Sequence, residues 1–308
     1  MLEANWAGRL GLMNFTAIDV ETANPDLASI CQVGIAVYRD GILHQEWVSL
    51  VDPEDYFDPS NVLVHGIDEH SVESAPIFPD IEPILRHFLK DSICVCHTHF
   101  DRVSLGRAFE RYDLPGFELT WLDSARVARR TWEECAWRGY GLAAVCKKIG
   151  YDFKHHDALE DAKACARVLM ASIESTGLDI VSWLKRVEEP IASRMGTGSS
   201  GPWRQPSIKR EGNPEGELYG EVMVFTGALM IARAEAADLA SKVGCSVVTS
   251  VSKKTTLLVV GDQDISRLAG KAKSSKHLKA EQLIGAGHSL RILRESDFLE
   301  LVKNSLTQ

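Results

Sequence analysis

Apolar and polar positions follow two different periods along the first half of the chain. Short β-branched and aromatic runs predict strands. Longer runs whose apolar positions recur about every 3.6 residues predict amphipathic helices. The predicted strands are Phe15–Val20, Gln32–Tyr38, Glu46–Leu50 and Ile93–His97, and the predicted helices are Pro79–Lys90, Ser104–Tyr112, Ala125–Trp132, Leu142–Ile149 and Leu159–Ser175. This order predicts an α/β fold in which a mixed sheet is flanked by helices.

A second pattern begins at Glu217 and predicts a small parallel sheet with helices on its faces. The predicted strands are Val222–Phe225, Ser246–Val248, Leu257–Val260 and Leu290–Leu293, and the predicted helices are Ala232–Val243, His277–Ala286 and Glu295–Val302. Between the two patterns lies a Gly/Ser/Pro-rich segment without periodicity, which is typical of a flexible linker. We therefore expect domains at 12–188 and 216–304, joined by a linker at 189–215. Trp203, within the linker, is equally compatible with an exposed ring and with a ring docked on a neighbouring domain.

Composition fits a globular protein of more than one domain. The chain has 308 residues, of which 45% are apolar and 25% are charged, an ordinary balance for such a protein. No apolar run approaches the ~18–20 residues that a membrane span requires, so we expect no membrane association. The seven cysteines are odd in number and lie in apolar segments. A reducing cytoplasm suits them better than a secreted disulfide framework does.

The net charge of −9 is distributed unevenly. Residues 1–188 carry 18 Lys and Arg against 30 Asp and Glu, whereas residues 216–308 carry 12 against 10. Large sequence-independent footprints on duplex DNA are basic. The acidic N-terminal domain therefore argues against such a footprint, but it suits a site that grips a few nucleotides through metal ions.

Two carboxylates in the first strand indicate the chemistry. Side-chain direction alternates along a strand, so Asp19 and Glu21 share one face while Ile18 and Val20 take the other. Two carboxylates on a core strand repel each other and cost desolvation. Divalent cations reverse that penalty, because Mg²⁺ and Mn²⁺ require hard oxygen ligands. A pair of such ions can clamp both the attacking and the leaving oxygen of a phosphodiester.

Five motifs in order carry a resemblance that runs from about Asn14 to Ser175. They are Asp19-Val20-Glu21-Thr22, Val64-His65-Gly66-Ile67 followed by Ala75-Pro76, Phe100-Asp101, Trp121-Leu122-Asp123-Ser124-Ala125, and His156-Asp157-Ala158-Leu159-Glu160-Asp161. This set resembles the DEDDh branch of the DnaQ-like 3′–5′ exonucleases, which includes the proofreading subunit of bacterial DNA polymerase III and RNase T. The resemblance implies a ribonuclease-H-like fold with the active site at one end of the sheet.

The resemblance also implies roles for five residues around two divalent cations, Mg²⁺ or Mn²⁺. The residue that matches Asp19 bridges the ions, and those that match Glu21 and Asp161 complete one of the two sites. Asp101 corresponds to the residue that supports the second. His156 corresponds to the general base that deprotonates the attacking water, a role suited to imidazole because its unperturbed pKa is about 6.5.

Substrate contacts are implied at four further positions. Thr22 and the turn Val64-His65 are expected to border the terminal nucleotide, and Phe100 is expected to pack near its base or sugar. Core packing explains Val64 and Phe100 equally well. His97 departs from the family, whose members often have Asn four residues before the second-motif Asp, so no role is assigned to it.

The C-terminal pattern resembles a single BRCT domain of the type found in DNA ligases. The resemblance rests on Val224-Phe225-Thr226-Gly227, Gly244, the segment 251–261, Lys276-His277-Leu278-Lys279-Ala280 and Phe298. Phosphate-binding members use positions that match Thr226, Gly227 and Lys279, and further lysines surround the start of that helix (Lys271, Lys273 and Lys276). The ligand is either a DNA 5′ phosphate or a phosphorylated protein. The alternative is that Thr226-Gly227 is only a turn and that the lysines form a solvated face.

Two further clusters have simpler explanations. Cys94, Cys96, His97 and His99 crowd together, but structural zinc sites pair ligands from two separated loops, so a buried strand explains them better. Arg126, Arg129 and Arg130 share a helical face, for which a solvated face is favoured over a nucleic-acid contact.

The expected function is therefore metal-dependent 3′–5′ removal of nucleotides from single-stranded or frayed DNA 3′ ends in proofreading or repair. Without a polymerase domain, proofreading would require a partner polymerase, replicative or repair. One alternative is an exoribonuclease that trims RNA 3′ ends. Another is a scaffold in which the BRCT domain recruits partners and the nuclease is vestigial, which the retention of all five catalytic positions opposes.

Overall fold

The computed structural model describes residues 13–136, 139–191, 208–261 and 273–306. The chain divides into two compact units, Met1–Glu189 and Pro190–Gln308. Trp203, Lys271 and most of the predicted linker lie outside the described residues. None of the helices in the described ranges combines the length and the apolar character that crossing a membrane requires.

The N-terminal unit is built on a five-stranded mixed sheet. Its strands are β1 (Phe15–Thr22), β2 (Ile30–Arg39), β3 (Ile42–Leu50), β4 (Ile93–Cys96) and β5 (Thr120–Asp123). They lie in the order β3-β2-β1-β4-β5. The pairs β1–β2 and β2–β3 are antiparallel, and β1–β4 and β4–β5 are parallel. The predicted mixed sheet is confirmed.

Eight described α-helices surround this sheet. They are α1 (Pro59–His65), α2 (Glu69–Val72), α3 (Phe78–Leu89), α4 (Phe100–Arg111), α5 (Ser124–Thr131), α6 (Leu142–Ile149), α7 (Ala158–Thr176) and α8 (Ile180–Arg186). The prediction began α4 at Ser104, which is wrong, because its first turn starts immediately after the polar turn 97–99. The short helices α1, α2 and α8 were not predicted, since seven residues or fewer show too little of a 3.6-residue period.

Each face of the sheet packs against different helices. On one face, Phe15 and Ala17 of β1 belong to a core formed with α5, α7 and α8. On the other, Ile18 and Val20 belong to a core formed with α3 and α4. The strand period of two therefore directs the odd-numbered positions of β1, including Asp19, toward α7.

The C-terminal unit contains a four-stranded parallel sheet, as predicted. Its strands are β6 (Val222–Thr226), β7 (Ser246–Val247), β8 (Leu257–Val260) and β9 (Arg291–Arg294), in the order β7-β6-β8-β9. Its described helices are α9 (Arg233–Lys242), α10 (Ser275–Gly285) and α11 (Glu295–Leu306). Phe298 is fully buried and contacts Phe225 edge-on, with 5.2 Å between ring centroids.

The described end of the predicted linker lies against this unit. Arg210 exchanges two backbone hydrogen bonds with Val247. A Cβ at Gly212 would lie 1.8 Å from the carbonyl oxygen of Gly244. This close approach requires glycine at position 212, so residues 208–216 pack on the C-terminal unit.

Candidate functional site

Three carboxylates converge at the end of β1. Asp19 and Glu21 are partly exposed, whereas Asp161, in the first turn of α7, is only 4% exposed. One oxygen atom from each lies within 4.8 Å of the others. Negative charges at this spacing repel each other unless a cation lies between them. The donor set is made of hard oxygen atoms, so these residues fit a divalent ion such as Mg²⁺ or Mn²⁺.

The position of Asp161 depends on a close approach between β2 and α7. The side chain of Gln32 accepts a hydrogen bond from the backbone N–H of Ala158, the first residue of α7 (3.0 Å). Gly34 pairs with Asp19 across the β1–β2 ladder. A Cβ at Gly34 would lie 2.2 Å from the carbonyl carbon of Ala158. Only glycine therefore allows the helix start to approach the strand this closely.

We expect Gly34→Ala to displace the start of α7 and with it Asp161. Backbone atoms cannot move aside by changing rotamer, so overpacking of this kind costs about 1–3 kcal/mol in the free energy of unfolding. Hydrolysis should fall at least about tenfold, because catalytic geometry tolerates displacements of only about 0.5 Å. Thermal unfolding, Mn²⁺ binding and hydrolysis rate would be measured together.

Gly106→Ala is the matched control, because nothing lies within 4 Å of a Cβ at that position of α4. It should bind Mn²⁺ and hydrolyse substrate as the wild type does. Wild-type behaviour of Gly34→Ala in all three measurements would contradict the role given to the close approach.

Two adjacent histidines reach the same carboxylates. His156 has a left-handed backbone (φ 66°), and its Nδ1 lies 3.9 Å from Oε1 of Glu21. The backbone N–H of His156 donates to Oδ2 of Asp161 (3.0 Å). Nδ1 of His155 lies 3.1 Å from both oxygens of Asp161, and the two imidazole rings stack with 3.9 Å between centroids. The sequence reasoning missed His155, although the His-His pair was visible.

Asp101 is hydrogen-bonded to strand β1, which carries Asp19 and Glu21. It is 3% exposed, and its Oδ1 accepts a hydrogen bond from the backbone N–H of Val20 (3.1 Å). Val20 lies between Asp19 and Glu21. Among the described residues, Asp101 is outside the group of three carboxylates that share a 4.8 Å spacing. The structure thus brings four predicted carboxylates to one strand, three of them at ligand spacing.

Of the predicted substrate-binding residues, Thr22 ends β1 and His65 lies against it. Val64 and His65 end helix α1, so the turn predicted for them is wrong. The helix ends at Gly66, whose φ is 76°. Nε2 of His65 lies 3.2 Å from the carbonyl oxygen of Thr22, the last residue of β1. Phe100 is 4% exposed and stacks on the ring of His99, so most of its ring surface is in the core.

His97 connects three segments of the N-terminal unit. Nε2 lies 2.8 Å from the carbonyl oxygen of Tyr140, and Nδ1 lies 2.8 Å from Oγ of Ser124. A carbonyl oxygen can only accept, so Nε2 carries the hydrogen and the Ser124 hydroxyl donates to Nδ1. Burial lowers the pKa of His97, although Asp123 and the Tyr140 carbonyl oppose the shift. Both ring nitrogens are therefore used in hydrogen bonds within the chain. The buried-strand explanation holds for Cys94 and Cys96, whereas His97 lies in the turn that follows β4.

We expect His97 to make the protein less stable in acid. Its pKa is lower in the folded than in the unfolded state, so its contribution is complete above about pH 6.5. That contribution is lost as the pH falls through the folded-state value. His97→Asn replaces the imidazole by an amide, which can still donate and accept hydrogen bonds but cannot titrate. Its melting temperature should therefore fall less than that of the wild type between about pH 7.5 and about pH 5.5.

His65 remains in both proteins, and burial lowers its pKa as well. The comparison of the two melting curves therefore isolates His97. Equal losses of melting temperature in the two proteins would contradict the prediction.

The arginine face of α5 is only partly solvated. Arg126 and Arg130 donate to the backbone carbonyls of Val187 and Glu189 (2.6 and 3.0 Å). Arg129 is 3% exposed and donates to the carbonyl of Ala136. The favoured interpretation of a solvated face is therefore wrong for Arg129, whereas Arg126 and Arg130 stay partly exposed while they hydrogen-bond to neighbouring segments.

In the C-terminal unit, polar groups gather where β6 ends. Thr226 is buried, and its hydroxyl lies 3.0 Å from that of Ser274, the residue that caps the start of α10. Gly227 has a φ of 75°. Two cations reach the same turn: Lys276 and Arg233 donate to the carbonyl of Phe225 (2.9 and 2.7 Å).

Sequence reasoning did not single out Arg233, and it noted Lys276 only as one of several lysines near the start of α10. Burial, together with the neighbouring Arg233, lowers the pKa of Lys276. Lys279 is exposed on α10. The turn after β6 therefore combines two hydroxyl groups, a helix start and two cationic side chains.

Comparisons with known proteins agree with this organisation. Residues 16–169 match the exonuclease (RNase T) family, and residues 213–302 match the BRCA1 C Terminus (BRCT) domain. The chain is 26% identical over 188 residues to the DNA polymerase III PolC-type of Thermotoga maritima, covering 59% of this chain and 14% of that protein. It is 27% identical over 223 residues to a putative bifunctional exonuclease/endonuclease of Mycobacterium tuberculosis, covering 66% and 34%.

Similar solved structures include exonuclease X in complex with 5′ overhanging duplex DNA. It is 23% identical with a TM-score of 0.45, over 56% of this chain and 99% of that one. Exonuclease I is 16% identical with a TM-score of 0.47, over 56% and 42%. The chain spans only a minor part of the two curated relatives. The family match covers half of the chain, and the chain belongs to the RNase T exonuclease family, with a BRCT domain following its nuclease domain.

Proposed function

We propose that this nuclease is a metal-dependent 3′–5′ exonuclease that releases nucleotides one at a time from single-stranded or frayed DNA 3′ ends, in proofreading or repair. The observation that carries the proposal is the convergence of Asp19, Glu21 and Asp161 within 4.8 Å, with the His156 imidazole beside Glu21. DNA is favoured over RNA because relatives named DNA polymerase III PolC-type match half of the chain or more. The same relatives favour action beside a polymerase.

Each residue of the site would have a separate role in phosphodiester hydrolysis. Divalent ions, bound by Asp19, Glu21, Asp101 and Asp161, would supply Lewis-acid stabilisation of the phosphodiester charge. His156 would accept the proton of the attacking water at an imidazole nitrogen. Glu21, 3.9 Å from Nδ1 of His156, would stabilise the imidazolium that forms. The backbone bond from His156 to Asp161 (3.0 Å) would keep the base next to the metal-binding carboxylates.

The full chain tests this proposal on matched DNA and RNA oligonucleotides, each labelled at either end, with Mg²⁺, Mn²⁺ or EDTA. With 3′-labelled DNA the label should appear first as a mononucleotide, and 5′-labelled DNA should shorten stepwise. EDTA should stop both reactions. Faster shortening of RNA would assign the exoribonuclease function. Internal cleavage, or early release of the 5′ label, would contradict the proposed polarity.

The BRCT domain is proposed to capture a phosphate group through Thr226, Gly227 and Lys279. The two cations Lys276 and Arg233 support the proposal, since an anion would offset the repulsion between them. Anions are also favoured at the start of a helix such as α10. Capture of a DNA 5′ phosphate, or of a phosphorylated partner, would raise the local concentration of the nuclease near its substrate.

We expect Lys279→Ala to weaken binding of the full chain to 5′-phosphorylated DNA or to a phosphopeptide by roughly tenfold, as loss of one charge-assisted hydrogen bond does. Hydrolysis of a short single strand should not change. Lys242→Ala, at the far end of α9, is the charge-matched control and should bind normally. Equal wild-type affinity for ligands with and without the phosphate would exclude the phosphate site.

A further inference from the structure

The metal-binding end of β1 coincides with a β-bulge. Glu21 pairs with Gln32, but Thr22 pairs with Ile30, so Cys31 of β2 is the extra residue. Bulges locally disrupt the ladder and re-aim side chains, and they are frequent beside active sites. The register of the β1–β2 ladder therefore shifts next to Glu21, where the proposed function requires the backbone to be held most accurately.

Two side chains of α1 hold the backbone at this point. Nδ2 of Asn61 donates to the carbonyl oxygen of Thr22 (2.8 Å), and Nε2 of His65 lies 3.2 Å from the same oxygen. Asn61 and His65 are four residues apart and so share one face of the helix. A second bond, 3.4 Å long, joins Asn61 to the Thr22 hydroxyl. Two side chains on one face of α1 thus hydrogen-bond to the carbonyl oxygen of a single peptide group.

The tautomer of His65 follows from its neighbours. The backbone N–H of Ile67 donates to Nδ1 (3.0 Å), so Nδ1 is an acceptor and Nε2 carries the hydrogen. Burial lowers the pKa of His65, which favours this neutral form. Both ring nitrogens are engaged within the chain, which leaves neither for a hydrogen bond to a nucleotide.

We propose that Asn61 and His65 are positioning residues, which together form a clamp on the Thr22 carbonyl that fixes the neighbouring Glu21 for metal binding. This inference rests on the proposed function, in which Glu21 is a metal ligand. It assigns to His65 a role through Glu21 in place of a direct hydrogen bond to the terminal nucleotide. Helix α1, which the sequence pattern did not predict, then becomes part of the metal centre's support.

The test uses the full chain with Asn61→Ala, His65→Ala and the double variant. Mn²⁺ affinity is measured by electron paramagnetic resonance without nucleic acid, and kcat and KM are measured on a single-stranded oligonucleotide. Each single variant should weaken Mn²⁺ binding about three- to tenfold, the effect of losing one neutral hydrogen bond, and should lower kcat with little change in KM. The double variant should exceed the product of the single effects, because either donor alone still holds the shared carbonyl.

Two further variants make the result specific. His65→Gln retains an N–H donor and should recover most of the Mn²⁺ affinity. Leu63→Ala alters the same helix at a side chain that is 61% exposed, and its Mn²⁺ affinity should stay at the wild-type value. Thermal unfolding of every variant ensures that the measurements are made on folded protein.

Different failures point to different assignments. A raised KM with unchanged Mn²⁺ affinity would overturn the clamp and make His65 a nucleotide contact. A lower melting temperature alone, with Mn²⁺ affinity and kcat unchanged, would overturn it in favour of a purely structural role. Absence of Mn²⁺ binding by the wild type would refute the metal-ligand role of Glu21, and the clamp proposal with it.

Discussion

Asp19→Ala should abolish hydrolysis. Asp19 lies on β1 with Glu21 and faces Asp161, and one oxygen from each of these residues lies within 4.8 Å of the others. Asp19 is a proposed ligand of the divalent ions, whose stabilisation of transition-state charge would be worth several kcal/mol, so its removal should disrupt metal binding. The rate on a single-stranded DNA oligonucleotide in Mg²⁺, with Mn²⁺ binding measured in parallel, checks the expectation.

Glu73→Ala is a suitable control for Asp19→Ala, because it removes an exposed carboxylate outside the site. It should leave both the rate and Mn²⁺ binding unchanged. Asp19→Ala should remain folded, since relief of repulsion among three carboxylates offsets the loss of any contact. A variant that kept more than about a tenth of the wild-type rate would contradict the two-metal assignment.

The main strands and helices were predictable because their side chains follow the period of the element. In β1, Ile18 and Val20 enter one core while Asp19 and Glu21 face the other way, as strand alternation requires. Helix α7 was equally visible, since its apolar positions recur over 19 residues. The short helix α1 was not, because seven residues contain too few periods to distinguish a helix from a turn.

The supports of the site could not be predicted, because they depend on contacts between distant segments. Gly34 looks like any glycine in a strand until α7 is seen to lie against it. Asn61 carries no signal of its own, and only the fold places its amide against Thr22. His97 departs from a familiar motif, but its two partners, Ser124 and Tyr140, come from segments 27 and 43 residues away.

Predictions from the pattern of charged residues were incomplete for the same reason, since they too depend on contacts between distant segments. Three arginines on one helical face predict a solvated surface, yet Arg129 is 3% exposed. All three guanidinium groups donate to backbone carbonyls, which a sequence does not reveal as acceptors. In the BRCT domain, likewise, family resemblance selected Lys279. The fold additionally brings Arg233 to the turn after β6.

His156→Ala should lower kcat by about 10²–10⁴-fold, the contribution typical of a general base. The wild-type rate should fall as acid protonates an imidazole, and the variant should lack this acidic limb. Mn²⁺ affinity should stay close to the wild-type value, because the three carboxylates of Asp19, Glu21 and Asp161 are all still present. The pH–rate profile and Mn²⁺ binding are therefore measured on the same two proteins.

Metal binding decides between two roles for this residue. His155, His156 and Asp161 also place one potential ligand atom each within 4.8 Å of the others, which is a second geometry suited to a metal ion. A ligand role predicts that His156→Ala loses both Mn²⁺ affinity and rate, whereas a base role predicts loss of rate alone. His70→Ala, at an exposed histidine of α2, controls for a change in histidine content and should behave as wild type. An acidic limb that persists unchanged in His156→Ala would assign the base to another group.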